Sequence, residues 1–138
     1  MKPYKHLVQY YETDKMGITH HSNYIRWMEE ARLDFLRQLG FDYVEFEKMG
    51  FMSPVISLNN VKYKKPTTVG EIIDITVSIK AYNTVLLTFH YEMFRDGVLV
   101  CEGDSEHCFI SKEGHMIRLG ENRFQDVHHK ILELLKKI

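Results

Sequence analysis

The residues best suited to chemistry lie between Glu12 and Arg32, in the run ETDKMGITHHSNYIRWMEEAR. A carboxylate, Asp14, stands at the end of a strand-like run; a polar loop with Gly17, His20 and His21 follows, and a helix begins at Ser22 or Asn23. The first N–H groups of a helix have no intrahelical partner, and the helix dipole adds partial positive charge there. Here the first turn carries Tyr24, Ile25 and Arg26, while the acids Glu29 and Glu30 wait until the second turn. That end is left open to another group's negative charge. An oxyanion formed from a carbonyl is one such charge, and a preorganised amide donor is worth about 3–4 kcal/mol to its transition state. Asp14 could activate water as a base or attack the carbonyl itself. Gly17 lets the loop take an unusual backbone conformation or approach a ligand closely. The competing reading makes Asp14 a turn or cap residue, a common use of Asp after a strand.

Other constellations carry less. Asp14, His20 and His21 could form a partial metal site, but adjacent histidines seldom face one ion, and no i, i+4 His pair or CxxC supports it. The expectation is a site without metal or other cofactor. His128 and His129 have no ligand partner one turn away and read as helix-edge residues. Glu29 is expected to pair with Arg26 or Arg32 on the helix surface, contributing about 0.2–0.5 kcal/mol; its alternative role is a second acid in the site. Lys62, Lys64 and Lys65 suit either the phosphates of a nucleotide-bearing ligand or a strand edge guarded by charge. Cys101 has no base spaced near it and reads as a buried thiol.

These residues need elements to hold them. Tyr4 to Tyr11 reads as a first strand. From Asn23 the apolar residues Ile25, Met28, Ala31, Phe35, Leu36 and Leu39 recur every three to four positions, predicting a long amphipathic helix that Tyr24 and Trp27 broaden at its start. Arg37 suits its last turn and Gly40 its stop. A short helix is expected next, capped by Asp42 with Glu45, stapled by Phe41 and Phe46, and ended by Gly50. Val55 to Lys65 reads as a strand closed by Pro66. Alternation predicts two more, one with Ile73, Ile75, Val77 and Ile79 on one face and one with Val85, Leu87, Phe89, Tyr91 and Met93. Asp96-Gly97 predicts a tight hairpin into Val98 to Ile110. Lys112-Glu113-Gly114 offers a turn before a short last strand, and a final helix runs from Asn122 with Phe124, Val127, Ile131, Leu134 and Leu135 on one face. A long helix set before a meander of amphipathic strands implies an α+β fold in which the sheet wraps the helix.

Composition bounds the rest. The 138 residues, 44% hydrophobic and 27% charged, suit a single soluble domain over 1–138. A net charge of -1 gives no general attraction to nucleic acid or an anionic membrane. No apolar run approaches the about 20 residues of a membrane-spanning helix, and the N-terminal residues lack a secretory pattern. The two cysteines, Cys101 and Cys108, would sit ~23 Å apart on an extended strand, facing opposite ways, so they are not expected to bond. A reducing, cytoplasmic setting follows as the expectation.

The run Tyr11-Glu12-Thr13-Asp14-x-x-Gly17, His20-His21-x-Asn23-Tyr24, Trp27-x-Glu29-x-Ala31-Arg32 resembles the signature of the 4-hydroxybenzoyl-CoA thioesterase-like family of hotdog-fold acyl-CoA thioesterases. It covers about a sixth of the chain, and Tyr63-x-x-Pro66-x-x-x-Gly70-Glu71 is similar to that family's junction between its second and third strands. The resemblance implies a hotdog fold: an antiparallel sheet of about five strands around a long central helix, with a C-terminal helix here. It implies a homodimer or homotetramer that hydrolyses an acyl-CoA, or an acyl-carrier-protein thioester, without metal. Asp14 matches the family's catalytic carboxylate and His21 the residue whose backbone N–H polarises the carbonyl; Gly17 and Tyr24 are the matching substrate-binding positions. Where the 4-hydroxybenzoyl-CoA branch has Tyr-Pro, this chain has His21-Ser22. That departure turns the expectation from an aromatic substrate to a general acyl-CoA. The alternative function is a non-catalytic module that binds an acyl thioester or an acyl carrier protein.

Overall fold

The structure, a computed structural model, describes residues 1–41, 48–120 and 124–136. Helix α1, Ser22–Gln38, buries Tyr24, Trp27, Met28, Ala31 and Phe35. Ile25, Leu36 and Leu39 pack half-buried beside them, so the expected stripe is present with its most buried line shifted towards Trp27. The helix ends as expected. Gly40 takes φ 91, its N–H donates to the Arg37 carbonyl at 2.9 Å, and the N–H of Phe41 reaches the Leu36 carbonyl at 2.9 Å. This paired closure satisfies carbonyls the helix itself leaves free.

A five-stranded antiparallel sheet curves around α1. Its strands are β1 (Tyr4–Leu7), β3 (Val55–Tyr63), β4 (Ile72–Tyr82), β5 (Leu86–Arg95) and β6 (Val98–Cys108). Their spatial order is β1-β4-β5-β6-β3. β2 (Phe51–Met52) and β7 (Ile110–Ser111) pair separately. Ile73, Ile75 and Ile79 of β4 and Leu87, Phe89, Tyr91 and Met93 of β5 face inward in one register, Ile75 opposite Met93 and Ile79 opposite Phe89. Asp96 (φ 50) and Gly97 (φ 79) make the two-residue turn from β5 to β6, with both central residues left-handed as a tight hairpin with right-handed strand twist requires. Gly103 of β6 is the point of closest approach. A Cβ built there would lie 2.9 Å from Met28 Cε and 3.0 Å from Val61 Cγ2, so α1 sits this close to the sheet because that residue has no side chain.

Two of the expected strands change. The first strand stops at Leu7, and Tyr10–Glu12 forms a 3-10 turn that leaves Tyr10 and Tyr11 exposed, because Glu12 is drawn into the core instead. The expected last strand reduces to a single bridge, Ile110 opposite Met116, beyond the turn at Gly114. Helix α2 spans Gln125–Lys136 and lays Val127 and Ile131 against the core. The expected start at Asn122, and the cap formed by Asp42, Glu45 and Phe46, lie outside the described residues. Cys101 and Cys108 both lie on β6 as free thiols. No helix among the described residues is long and apolar enough to cross a membrane.

Candidate active site

The loop that carries Asp14 is anchored by Glu12, a carboxylate only 5% exposed. Its Oε1 accepts the backbone N–H of Gln9 at 2.8 Å and meets His6 Nε2 at 2.8 Å; its Oε2 accepts the Trp27 indole N–H at 2.7 Å. Burial pushes this carboxyl up, but the Gln9 amide, the Trp27 indole and His6 outweigh it and hold the group below its ordinary value. The main chain repeats the tie: the Glu12 carbonyl accepts the N–H of His20 at 2.8 Å and the side-chain amide of Asn23 at 2.9 Å. Glu12 therefore pins both ends of the loop to the start of α1.

Between those anchors the chain makes a tight return. Thr13 bridges Thr19, the Asp14 N–H donates to the Ile18 carbonyl at 2.9 Å, and the Gly17 N–H donates to the Asp14 carbonyl at 3.0 Å. Gly17 takes φ 79, and its carbonyl accepts the Thr68 hydroxyl at 2.7 Å. No atom lies within 4 Å of the position a Cβ would occupy there, so the residue serves the turn by its conformation rather than by crowding. Asp14 Oδ1 accepts the Met16 N–H at 2.8 Å. The structural role weighed for this residue is thus real, and it uses one oxygen. Oδ2 has no partner among the described residues.

The helix start is open in the way the sequence implies. His21 already has helical dihedrals (φ -56, ψ -27), its own side chain makes no capping hydrogen bond, and no acid lies in the first turn. Among the described residues its N–H meets no acceptor. The N–H groups of Asn23 and Tyr24 turn back to His20 and His21, and that of Ser22 to His20 Nδ1 at 3.3 Å. The His21 imidazole is exposed, stacked on His20 at 4.3 Å between centroids and edge-on to Tyr63 at 6.1 Å. Tyr24 is 4% exposed, and its hydroxyl shares a hydrogen bond with Thr67 at 2.9 Å. Its ring stands 5.3 Å from that of Tyr63.

Thr67 is a residue that spacing alone did not reveal. Only 1% exposed, it accepts the Thr19 N–H on its carbonyl at 2.8 Å and meets the Thr19 hydroxyl at 2.6 Å. It docks the Asp14 loop on the β3–β4 connection. Its place directly after Pro66, inside the second motif, was the available signal. Glu12 was likewise visible in the motif without a role, because only the fold brings His6, Gln9 and Trp27 to it.

The remaining candidates scatter. Glu29 is exposed and forms no ion pair with Arg26 or Arg32 among the described residues. Lys64 approaches Glu102 at 3.8 Å. Burial and the neighbouring Glu102 push the Cys101 thiol up to about 12, which removes it as a nucleophile. His90, Glu92 and Glu102 have ligand atoms within 4.8 Å of one another, a cluster that includes none of Asp14, His20 or His21. A cavity of about 870 Å³ lies along the later turns of α1, and none of Asp14, Gly17, His21 or Tyr24 lines it.

Sequence and structure comparisons identify relatives of the chain. The thioesterase-like superfamily matches residues 8–134. A provisionally named acyl-CoA thioesterase of Bacillus subtilis is 37% identical over 122 residues, 88% of either chain. A provisionally named esterase of Aquifex aeolicus is 35% identical over 134 residues, 96% of each. The crystal structure of a DHNA-CoA thioesterase from Staphylococcus aureus superposes with a TM-score of 0.91 at 35% identity, covering 98% of this chain and 91% of that one.

Proposed function

Because the chain belongs to the thioesterase-like superfamily and is a thioester hydrolase, we propose that it cleaves an acyl-CoA to free acid and thiol through Asp14 and the N-terminal end of α1. One observation carries this reading: a carboxylate with an uncommitted oxygen sits on a return turn that leads straight to a helix-start N–H with no acceptor among the described residues. The thioester carbonyl oxygen would accept the His21 N–H. As charge builds on that oxygen, the amide and the helix dipole stabilise it. Asp14 Oδ2 either takes a proton from the attacking water or bonds to the carbonyl carbon itself. In the first route the tetrahedral intermediate collapses to acid and thiolate. In the second it expels thiolate and leaves an anhydride, which water opens to return the carboxylate. Either way the thiolate leaves with the sulfur electrons and is then protonated. No step requires a metal.

Asp14→Asn should remove most thiol release from acyl-CoA while the protein keeps its melting temperature; near-wild-type turnover would sink the assignment. Single turnover in isotopically labelled water tests for the nucleophilic route, since label enters Asp14 only when water opens an anhydride at the Asp14 carbonyl.

The acyl group remains the broader one that His21-Ser22 favours. A second reading, an aromatic acyl group, is supported by the 35% identity with the DHNA-CoA thioesterase. A panel of short, long, branched and aromatic acyl-CoAs, with one acyl-carrier-protein thioester, decides among them. A non-catalytic binding module would hold ligands across that panel and release no thiol.

The proposed working form is a dimer. β3 is an edge strand, and it exposes Val55 (44%), Ile56 (50%), Leu58 (42%) and Tyr63 (49%). An exposed apolar edge of this kind pairs readily with another. Antiparallel pairing with a second β3 would cover it and place a second chain beside Tyr63, the neighbour of His21. The two free thiols on one strand suit a reducing, cytoplasmic setting.

A further inference from the structure

The cavity along α1 is separate from the Asp14 loop, and its chemistry is unusual for an apolar space. Leu36, Leu39, Ile79, Leu87, Phe109 and Ile131 give it walls from α1, the sheet and α2, enclosing about 870 Å³. Two polar residues on its lining, Arg32 and His107, are the ends of one chain of hydrogen bonds that runs behind it. Arg32 Nη1 donates to the Tyr91 hydroxyl at 3.1 Å, Tyr91 meets the Ser105 hydroxyl at 2.7 Å, and Ser105 meets His107 Nε2 at 2.8 Å. Tyr91, Ser105 and His107 are at most 1% exposed.

Arg32 is the uncompensated member. Its guanidinium is half-buried, and among the described residues no carboxylate lies within ion-pair distance of it. A cation drawn out of water with only a hydroxyl for company is costly until an anion joins it. Among the described residues, the remaining charged groups on the lining are Lys112 and Lys130 against one exposed acid, Glu29, so the balance there is also positive. Lys130 is itself only loosely held, 4.0 Å from Glu133. A volume of this size lies within the range of small-molecule sites.

We propose that this cavity binds an apolar acid anion, with its carboxylate on Arg32 and its hydrocarbon body between α1, the sheet and α2. A planar guanidinium receives a carboxylate through two parallel hydrogen bonds, which sets the preference for an acid over an alcohol of the same length. An acid of this class is what the proposed hydrolysis would release; the binding itself does not depend on that reading.

The test is calorimetric titration of the intact protein with decanoate, decanol and decyltrimethylammonium. Decanoate should bind saturably at one site per chain, and the alcohol and the cation at least about tenfold more weakly, the loss expected for removing a charge-assisted pair. Arg32→Met should weaken decanoate to the level of decanol, and Arg32→Lys should restore part of the difference. Leu36→Trp, which fills the cavity and leaves Arg32 in place, should abolish binding while circular dichroism reports a folded chain. No saturable decanoate binding, equal binding of decanol, or unchanged binding in folded Leu36→Trp would each overturn the proposal. Thiol release measured in parallel keeps the two claims apart. A wild-type protein that hydrolyses acyl-CoA and ignores decanoate loses this site and keeps the hydrolytic reading, and the reverse result does the opposite.

Discussion

At the scale of single residues, the proposed hydrolysis gives Asp14 and His21 unequal shares of one task. In the proposed mechanism Asp14 works through its side chain, while His21 works through a main-chain N–H that any residue other than proline supplies. His21→Ala should therefore lose far less thiol release than Asp14→Asn, and the reverse order would show that the imidazole does the work. A second residue-scale consequence concerns acid. Burial, and next the charge of Arg32, push His107 down to about 4. Unfolded, the imidazole would take its proton near 6.5. Between those values the unfolded chain binds more protons than the folded one, so stability rises with pH across that window and is lost as pH falls through it. The gap corresponds to about 3 kcal/mol. Thermal melting from neutral pH down to 4 should show this loss, and His107→Gln should show a shallower one; equal slopes would mean that His107 is protonated in the folded protein.

At the scale of elements, α1 is held by the sheet at one narrow point. Gly103 leaves room for Met28 and Val61 with no slack, since a methyl there would stand 2.9 Å from Met28 Cε. Gly103→Val should overpack this contact and cost about 1–3 kcal/mol. Met28→Ala should cost a similar amount alone, by leaving a cavity. Combined, the two should be less destabilising than their sum, because valine fills part of the space that methionine leaves. Strict additivity in denaturant melts would mean that the residues do not share this space. The same contact bears on the proposed mechanism, because α1 packs against the sheet there and begins directly after His21.

The whole molecule raises the question of what covers β3. An edge with four exposed apolar side chains on a nine-residue strand is a poor surface for a monomer. Leu58→Lys should shift sedimentation from dimer to monomer. It should also lower thiol release if a second chain completes the surroundings of His21 and Tyr63. A wild-type protein that sediments as a monomer at all concentrations would remove the proposed dimer.

Much of this was legible in the chain itself. The period of the apolar residues marked α1, alternation marked β4 and β5, and Asp96-Gly97 marked the hairpin, because each signal is local: a face repeats, or two residues must go left-handed. The pairing of a carboxylate with an open helix start was equally local, since loop and helix are contiguous. What the chain could not show is anything that depends on distant partners. Tyr10 and Tyr11 suit a strand and so extend the expected first strand to Tyr11; only the tertiary fold supplies Trp27 and His6 to draw Glu12 inward and bend the chain at Gln9. Thr67 became a dock for the Asp14 loop only when β4 returned beside α1, 48 residues on from Thr19. Arg32, Tyr91, Ser105 and His107 form one chain of hydrogen bonds only because helix and sheet are pressed together at Gly103. Local geometry is carried by neighbouring residues and survives in one dimension. Burial and partnership are set by what the rest of the molecule brings, and here they decided which polar groups are satisfied and which, like Arg32, have no counter-charge among the described residues.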